Sequence, residues 1–243
     1  MKRILSCICS IALFCNFAYG QNPKNGPIAD SVQYKTEKRD KVPSRFFIPT
    51  GVRIGTDLVA LGINAFGGDR QRYEFQADID FHRFYLVGEF GIASYESIGE
   101  EYRYTNEGSF YRVGVNVDFL KFDKDFNTFT VGLRYAAANY SENLVTNISS
   151  EIFGDYQENL SNPSVQARWF ELTTGLRVMI LPNLYTGYTF RIQLGKQGSN
   201  ATNFRTYDVP GFGRAQFKNR WAFNYYLMYK INWRKKELLP RER

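Results

Sequence analysis

Acidic side chains, Glu74, Asp78 and Asp80, stand at alternate positions of one face, with Gln76 between, in Tyr73-Glu74-Phe75-Gln76-Ala77-Asp78-Ile79-Asp80-Phe81. Together with Glu89 and Asp118 they are the residues here best suited to acid–base work or to holding a cation, because clustered carboxylates shift one another's proton affinity. Arginines are spaced in the same way. Arg53, Arg112, Arg134, Arg177 and Arg191 each stand in a run of alternating character. Guanidinium groups facing carboxylates bond them in bidentate fashion, so a mutually satisfied network is the simpler reading than a catalytic pair. The set assigned to it is Arg53, Asp57, Glu74, Asp78, Glu89, Arg112, Asp118, Arg134, Glu171, Arg177 and Arg191.

Other chemistry is sparse. His82 is the only histidine, which removes most His-based dyads, triads and metal sites, and it falls in a tight turn where a plain turn residue is expected. All three cysteines, Cys7, Cys9 and Cys15, lie in the first segment of the chain, so thiol nucleophiles and Cys-ligated metals are not expected in the folded part. No catalytic residue, metal ligand or cofactor is assigned, and the chain is read as not an enzyme. Tyr207-Asp208-Val209-Pro210-Gly211-Phe212-Gly213 mixes turn residues with aromatics. Tyr207, Pro210 and Phe212 are a candidate outer-loop contact surface, with a folded-back lid as the competing reading. A phosphate cradle does not fit, because no helix follows to supply an anion-binding terminus.

The elements that must position these side chains are strands. In the run from Tyr73 to Phe81 one face carries Glu74, Gln76, Asp78 and Asp80, and the other only apolar or aromatic groups. A helical period would mix them. The same alternation recurs at 52–61, 84–93, 110–120, 128–139, 166–180, 184–195 and 220–233, each about the length a tilted strand needs to cross a bilayer, ~9 to 11 residues or more. The last alternates Trp221, Phe223, Tyr225, Leu227, Tyr229, Ile231 and Trp233 against Ala222, Asn224, Tyr226, Met228 and Lys230, with a tryptophan at each end where interfacial girdles belong. The connections alternate too. Tight or short ones fall at 82–83, 121–127 and 181–183; medium to long ones fall at 62–71, 94–109, 140–165 and 196–219. Outer-membrane barrels alternate short periplasmic turns with longer outer loops, and that pattern puts both termini on the periplasmic side.

Alternation alone does not say which face looks inward, so a soluble lipocalin-like barrel is the competing architecture. Volume decides against it. An eight-stranded interior is only just wide enough for side chains to fill, and Phe75, Phe81, Phe84, Phe90, Phe119, Phe129, Phe170, Phe190, Trp221 and Phe223 would crowd it. With polarity reversed, mixed charges fill the lumen and pair. The expected fold is therefore all-β: a closed antiparallel transmembrane barrel of about eight strands over residues 49–234, in which closure leaves no unpaired strand edge in lipid.

Lys2 and Arg3, the apolar run from Ile4 to Cys15, and Ala18-Tyr19-Gly20 have the parts of a secretion signal over residues 1–20. Bulky Phe14 before Cys15 argues against a lipoprotein signal. Residues 21–48 read as a flexible periplasmic linker, in which Asp30-Ser31-Val32 resembles a short O-glycosylation motif. Residues 235–243 read as a basic tail able to meet anionic lipid heads or a periplasmic partner. Removing Lys2 and Arg3 from the 31 basic residues leaves 29 against 24 acidic ones, a mild excess that is not a nucleic-acid signature.

Several segments in order resemble an uncharacterised family of small outer-membrane barrels of Bacteroidetes-type bacteria, a domain of unknown function. They are Gly51-Val52-Arg53-Ile54-Gly55-Thr56-Asp57-Leu58, Ser109-Phe110-Tyr111-Arg112-Val113-Gly114-Val115, Val131-Gly132-Leu133-Arg134-Tyr135, Arg168-Trp169-Phe170-Glu171-Leu172 and Val209-Pro210-Gly211-Phe212-Gly213-Arg214. The resemblance implies a bacterial outer-membrane location and an eight-stranded fold, and carries no activity. The tail departs from the many barrels that end on an aromatic, since Trp233 is followed by Arg234 to Arg243. The expected role is non-enzymatic: a structural, accessory or partner-binding barrel of the cell envelope, in contact with outer-membrane lipid and a periplasmic or outer-membrane protein. An enzyme acting on lipid or lipopolysaccharide and a narrow solute channel are the alternatives.

Overall fold

The computed structural model describes residues 48–67, 69–81, 83–120, 126–150, 154–199 and 201–234. The segments read as secretion signal (1–20) and as tail (235–243), all but the last residue of the stretch read as linker, Ser31 included, and His82 lie outside them. Among the described residues ten strands and one helix follow in order: β1 (Gly51–Asp57), α1 (Leu58–Ala65), β2 (Arg70–Phe81), β3 (Phe84–Ile98), β4 (Tyr102–Asp118), β5 (Thr128–Ser150), β6 (Gly154–Leu181), β7 (Leu184–Ser199), β8 (Asp208–Val209), β9 (Gly213–Arg214) and β10 (Arg220–Asn232). Eight of them close an antiparallel barrel in the order β1-β10-β7-β6-β5-β4-β3-β2, and β8 pairs with β9 as a separate small ribbon. Each long strand pairs with its chain neighbours, and β10 returns to β1, so no strand edge is left open around the ring.

Side-chain alternation sets which face is which. On β2, Glu74, Gln76, Asp78 and Asp80 are buried in the lumen while Phe75, between Glu74 and Gln76, is 55% exposed on the outside. The same holds around the ring. Leu86 and Phe90, Val113 and Val115, Val131 and Leu133, Phe170 and Leu172, and Phe223 and Ile231 all face outward and are exposed. Register is tied to this pattern, since a one-residue slip would turn every charge outward. It also brings opposite charges level across the ladder: Arg53 opposite Asp78, Glu89 opposite Arg112, and Arg134 opposite Glu171.

Two differences from the sequence-based expectation have clear causes. The first strand stops at Asp57 instead of running to residue 61, because Asp57 turns the chain into α1 and accepts the Val59 N–H at 3.1 Å as its N-cap. The intervals 94–109 and 140–165 are mostly strand, not loop, so β3, β4, β5 and β6 rise well past the continuous band of outward apolar residues on their lower parts. Apolar alternation marks only the part of a strand whose outward face is apolar. Above it, where Glu107, Asn139 and Ser141 face outward, the backbone ladder continues unmarked. Pro163, which has no N–H to give, sits where the β5–β6 register shifts between Tyr140 and Glu142.

Candidate functional site

All eleven residues assigned to the charge network are buried. They are not one cluster, however, but levels stacked along the barrel axis. At the short-turn end, Arg53 Nε donates to Asp78 Oδ1 at 2.7 Å, and its guanidinium lies between the rings of Tyr85 and Tyr185, 4.6 and 5.4 Å from their centroids. Asp80 holds the strand start there, accepting the backbone N–H groups of Thr50 at 2.9 Å and Gly51 at 3.1 Å. Arg177 is held by neutral groups: Thr189 Oγ1 at 2.7 Å, Gln76 Oε1 at 3.2 Å and the Tyr226 ring. Asp118 is buried at the same end and accepts the Leu120 N–H at 2.9 Å. The void bounded by Arg53, Asp78, Asp80, Tyr85, Tyr185 and Lys230 amounts to about 10 Å³, room for one water at most.

The middle level is the densest. Arg112 Nη1 donates to Glu74 Oε1 and Glu89 Oε2, both at 2.9 Å, and its Nε to Glu171 Oε1 at 3.0 Å. Arg191 Nη1 donates to Glu89 Oε2 and Glu171 Oε2, both at 2.9 Å, and Arg134 Nη1 pairs with Glu89. Three carboxylates thus meet three guanidinium groups. The register of six strands, β2 to β7, places them at one height, and three further side chains fill in the bonding. Tyr226 Oη donates to Glu74 Oε1 at 2.5 Å, Trp169 Nε1 to Glu171 Oε1 at 2.7 Å, and Gln193 Nε2 to Glu171 Oε1 at 3.1 Å. Asp57 joins from β1, accepting Asn224 Nδ2 at 2.6 Å and Arg72 Nη2 at 2.9 Å. Charges paired on this many sides hold one another in place, so the arrangement is a rigid polar core.

The long-loop end is closed by the 201–219 segment, which folds into the mouth. Gly211 is its tip. Its carbonyl accepts Arg112 Nη2 at 2.8 Å and Gln193 Nε2 at 2.9 Å, so the segment is bonded directly to the middle level. Its φ of +77° and the Phe110 ring, which a Cβ would meet at 2.5 Å, both require glycine. Val209, Phe212 and Ala215 pack with Phe110, Ala136, Ala138, Tyr140, Val165, Ala167 and Trp169 into an apolar cap over the charges. Tyr104 Oη donates to Glu142 Oε2 at 2.7 Å, and Thr206 Oγ1 to Glu142 Oε1 at 2.7 Å, sealing the other side.

The proposed contact residues divide accordingly. Pro210 and Phe212 are buried in this cap and cannot present a surface; Tyr207 alone is exposed, its ring stacked on Tyr95 at 5.9 Å. The lid reading therefore describes Pro210 and Phe212, because an apolar floor of alanines left room for them. Sequence reasoning missed Tyr104, Asn106, Glu142 and Asn162, which are buried inside a stretch taken for loop, and Arg72, Gln193, Asn224 and Tyr226. The last three were visible as inward positions of their strands. The first group was not, because polar residues face both ways there.

The family model for DUF6048, a domain of unknown function, matches residues 1–236. No curated protein matches. Among solved structures the chain is similar to CarO of Acinetobacter baumannii, with 10% identity over 76% of this chain and 98% of that one and a TM-score of 0.35.

Proposed function

The chain belongs to the DUF6048 family, to which no function is assigned, and we propose from its geometry that it is an integral barrel of a bacterial outer membrane with a non-enzymatic role in the envelope. One observation carries this reading: a continuous apolar and aromatic surface is exposed on the outside of a barrel whose inside is filled with paired charge. In water that surface would be a very large aggregation patch. Along β4 and the residue after it, the surface runs from Tyr111 to Phe119, which at about 3.4 Å per residue and a tilt of about 40° spans roughly 21 Å between Cα atoms, close to the apolar band of membrane barrels. Trp221, Tyr73 and Tyr111 mark one border of the band, and Trp233 and Tyr229 the other, as interfacial aromatics do.

Short connections at one end and raised strands at the other support a periplasmic placement of both chain termini. The sealed lumen favours a structural or partner-binding role over solute passage, with the raised β3–β6 wall as the surface available outside the cell. A Bacteroidetes-type source is part of the same reading and rests on the sequence resemblance. The test is gel migration of the membrane-extracted protein with and without boiling, combined with planar-bilayer recording. A heat-shifted band and silent bilayers are expected. A heat-independent band in the soluble periplasmic fraction overturns the membrane reading, and stepwise conductance overturns the sealed lumen.

A further inference from the structure

The barrel wall is uneven at its long-loop end. β5 and β6 reach Ser150 and Gly154, whereas β10 begins at Arg220, immediately beyond the outward Trp221, and β2 begins at Arg70, just beyond Tyr73. Between those two strands β1 has already ended at Asp57, and α1 occupies the seam against both. The rim is therefore lowest here, level with the aromatic border of the apolar band. The outer side of the seam is oily: Leu58, Ile63 and Phe66 are exposed, Phe66 almost completely.

Four arginines converge in this saddle. Arg70 pairs with Asp208, Arg72 Nη2 with Asp57 Oδ2 at 2.9 Å, and Arg220 Nη1 donates to the Phe212 carbonyl at 3.1 Å. The Arg214 guanidinium lies 5.8 Å from the Tyr207 ring. Arg70, Arg214 and Arg220 all act on the single Asp208 carboxylate, and Arg220 in turn stands in the field of Arg70, Arg72 and Arg214. Three carboxylates, Asp57, Asp208 and Glu74, the last 3.8 Å from Arg72 Nε and shared with Arg112, thus face four guanidinium groups. Arg214 is exposed and the Arg70 side chain is 35% so, which leaves donors of both open to an incoming anion.

Excess positive charge at the height where lipid headgroups lie, beside an exposed apolar ridge, has a specific complement. We propose that this saddle binds the phosphorylated headgroup of an outer-leaflet lipid, with Arg70, Arg72, Arg214 and Arg220 around the phosphate and the acyl chains along Leu58, Ile63 and Phe66. Guanidinium forks suit phosphate oxygens in geometry as well as charge. The site rests on the membrane reading above.

The experiment uses the full protein in phosphatidylcholine nanodiscs doped with diphosphorylated lipid A, with bound lipid counted by native mass spectrometry. Wild type retains the phosphorylated lipid. The Arg70→Gln/Arg214→Gln double variant binds it about 30-fold more weakly, since each cation near a charged membrane surface is worth about five-fold. Arg168→Gln, which removes an exposed cation on β6, binds like wild type. Heat-shifted migration of each variant shows that the barrel is closed. Equal retention by wild type and double variant overturns the site, as does equal retention of dephosphorylated lipid or displacement by inorganic phosphate at matched concentration. A chain that never enters the discs overturns the membrane reading and the site together; one that enters and ignores the phosphate overturns the site alone.

Discussion

Replacing Glu89 by Gln keeps the shape of the most heavily bonded carboxylate in the lumen and removes its charge. Glu89 is within ion-pair distance of Arg112, Arg134 and Arg191. Three lost pairs do not mean three equal losses, because Arg112 keeps Glu74 at 2.9 Å and Glu171 at 3.0 Å, and Arg191 keeps Glu171 at 2.9 Å. Arg134 has no other carboxylate within 4.0 Å among the described residues, is 1% exposed, and already has an unbonded Nε. The cost is thus that of one stranded buried guanidinium, about 3 to 5 kcal/mol. A hydrated lumen would give a different figure, about 1 kcal/mol or less, as for pairs in water. The assay is urea-dependent unfolding of the barrel in lipid vesicles, followed by the loss of heat-shifted migration and by tryptophan emission. A second variant isolates the cause: Glu89→Gln/Arg134→Met removes both the charge and its stranded partner, and should recover most of the loss. If the double variant is as unstable as the two single changes added together, pairing is not what holds the middle level, and the reasoning fails.

Three further outcomes are expected. Val115→Arg, in the middle of the outward band of β4, should lower stability in vesicles by about 2 to 4 kcal/mol, because the new cation faces lipid at mid-depth; an unchanged unfolding midpoint would place that face in water. Gly211→Ala should cost about 1 to 2 kcal/mol from its positive φ alone, and more from the Phe110 ring, so that trypsin cuts at Arg205 or Lys218 faster while the barrel stays heat-shifted. Asp57→Ala removes the α1 cap, worth about 1 kcal/mol, and strips acceptors from Arg72 and Asn224, so amide hydrogen exchange should rise in α1 and the upper β2–β10 seam before it rises in β4 or β5.

What the chain states by itself is the ring of strands and the polarity of their faces. A period of two is a local property: Glu74, Gln76, Asp78 and Asp80 must share a face whatever surrounds them, and the bulk of Phe75, Phe90 and Trp221 settles which side of a narrow barrel that face occupies. Membership of the charge set followed from the same arithmetic. Partnership did not, because which arginine meets which carboxylate depends on register and on height along the axis, set by pairings between residues far apart in the chain. That is why Arg53 and Asp78 form their own level while Glu89 gathers three arginines. The outer parts were hidden for another reason. Past the apolar band both faces of a strand are polar, so periodicity no longer separates strand from loop, and Tyr104 and Glu142 carried no contrast to read. Only the folded barrel decides that the 201–219 segment turns inward, since the alanine-lined floor beneath Phe212 and the carbonyl site that Arg112 and Gln193 offer Gly211 come from four different strands.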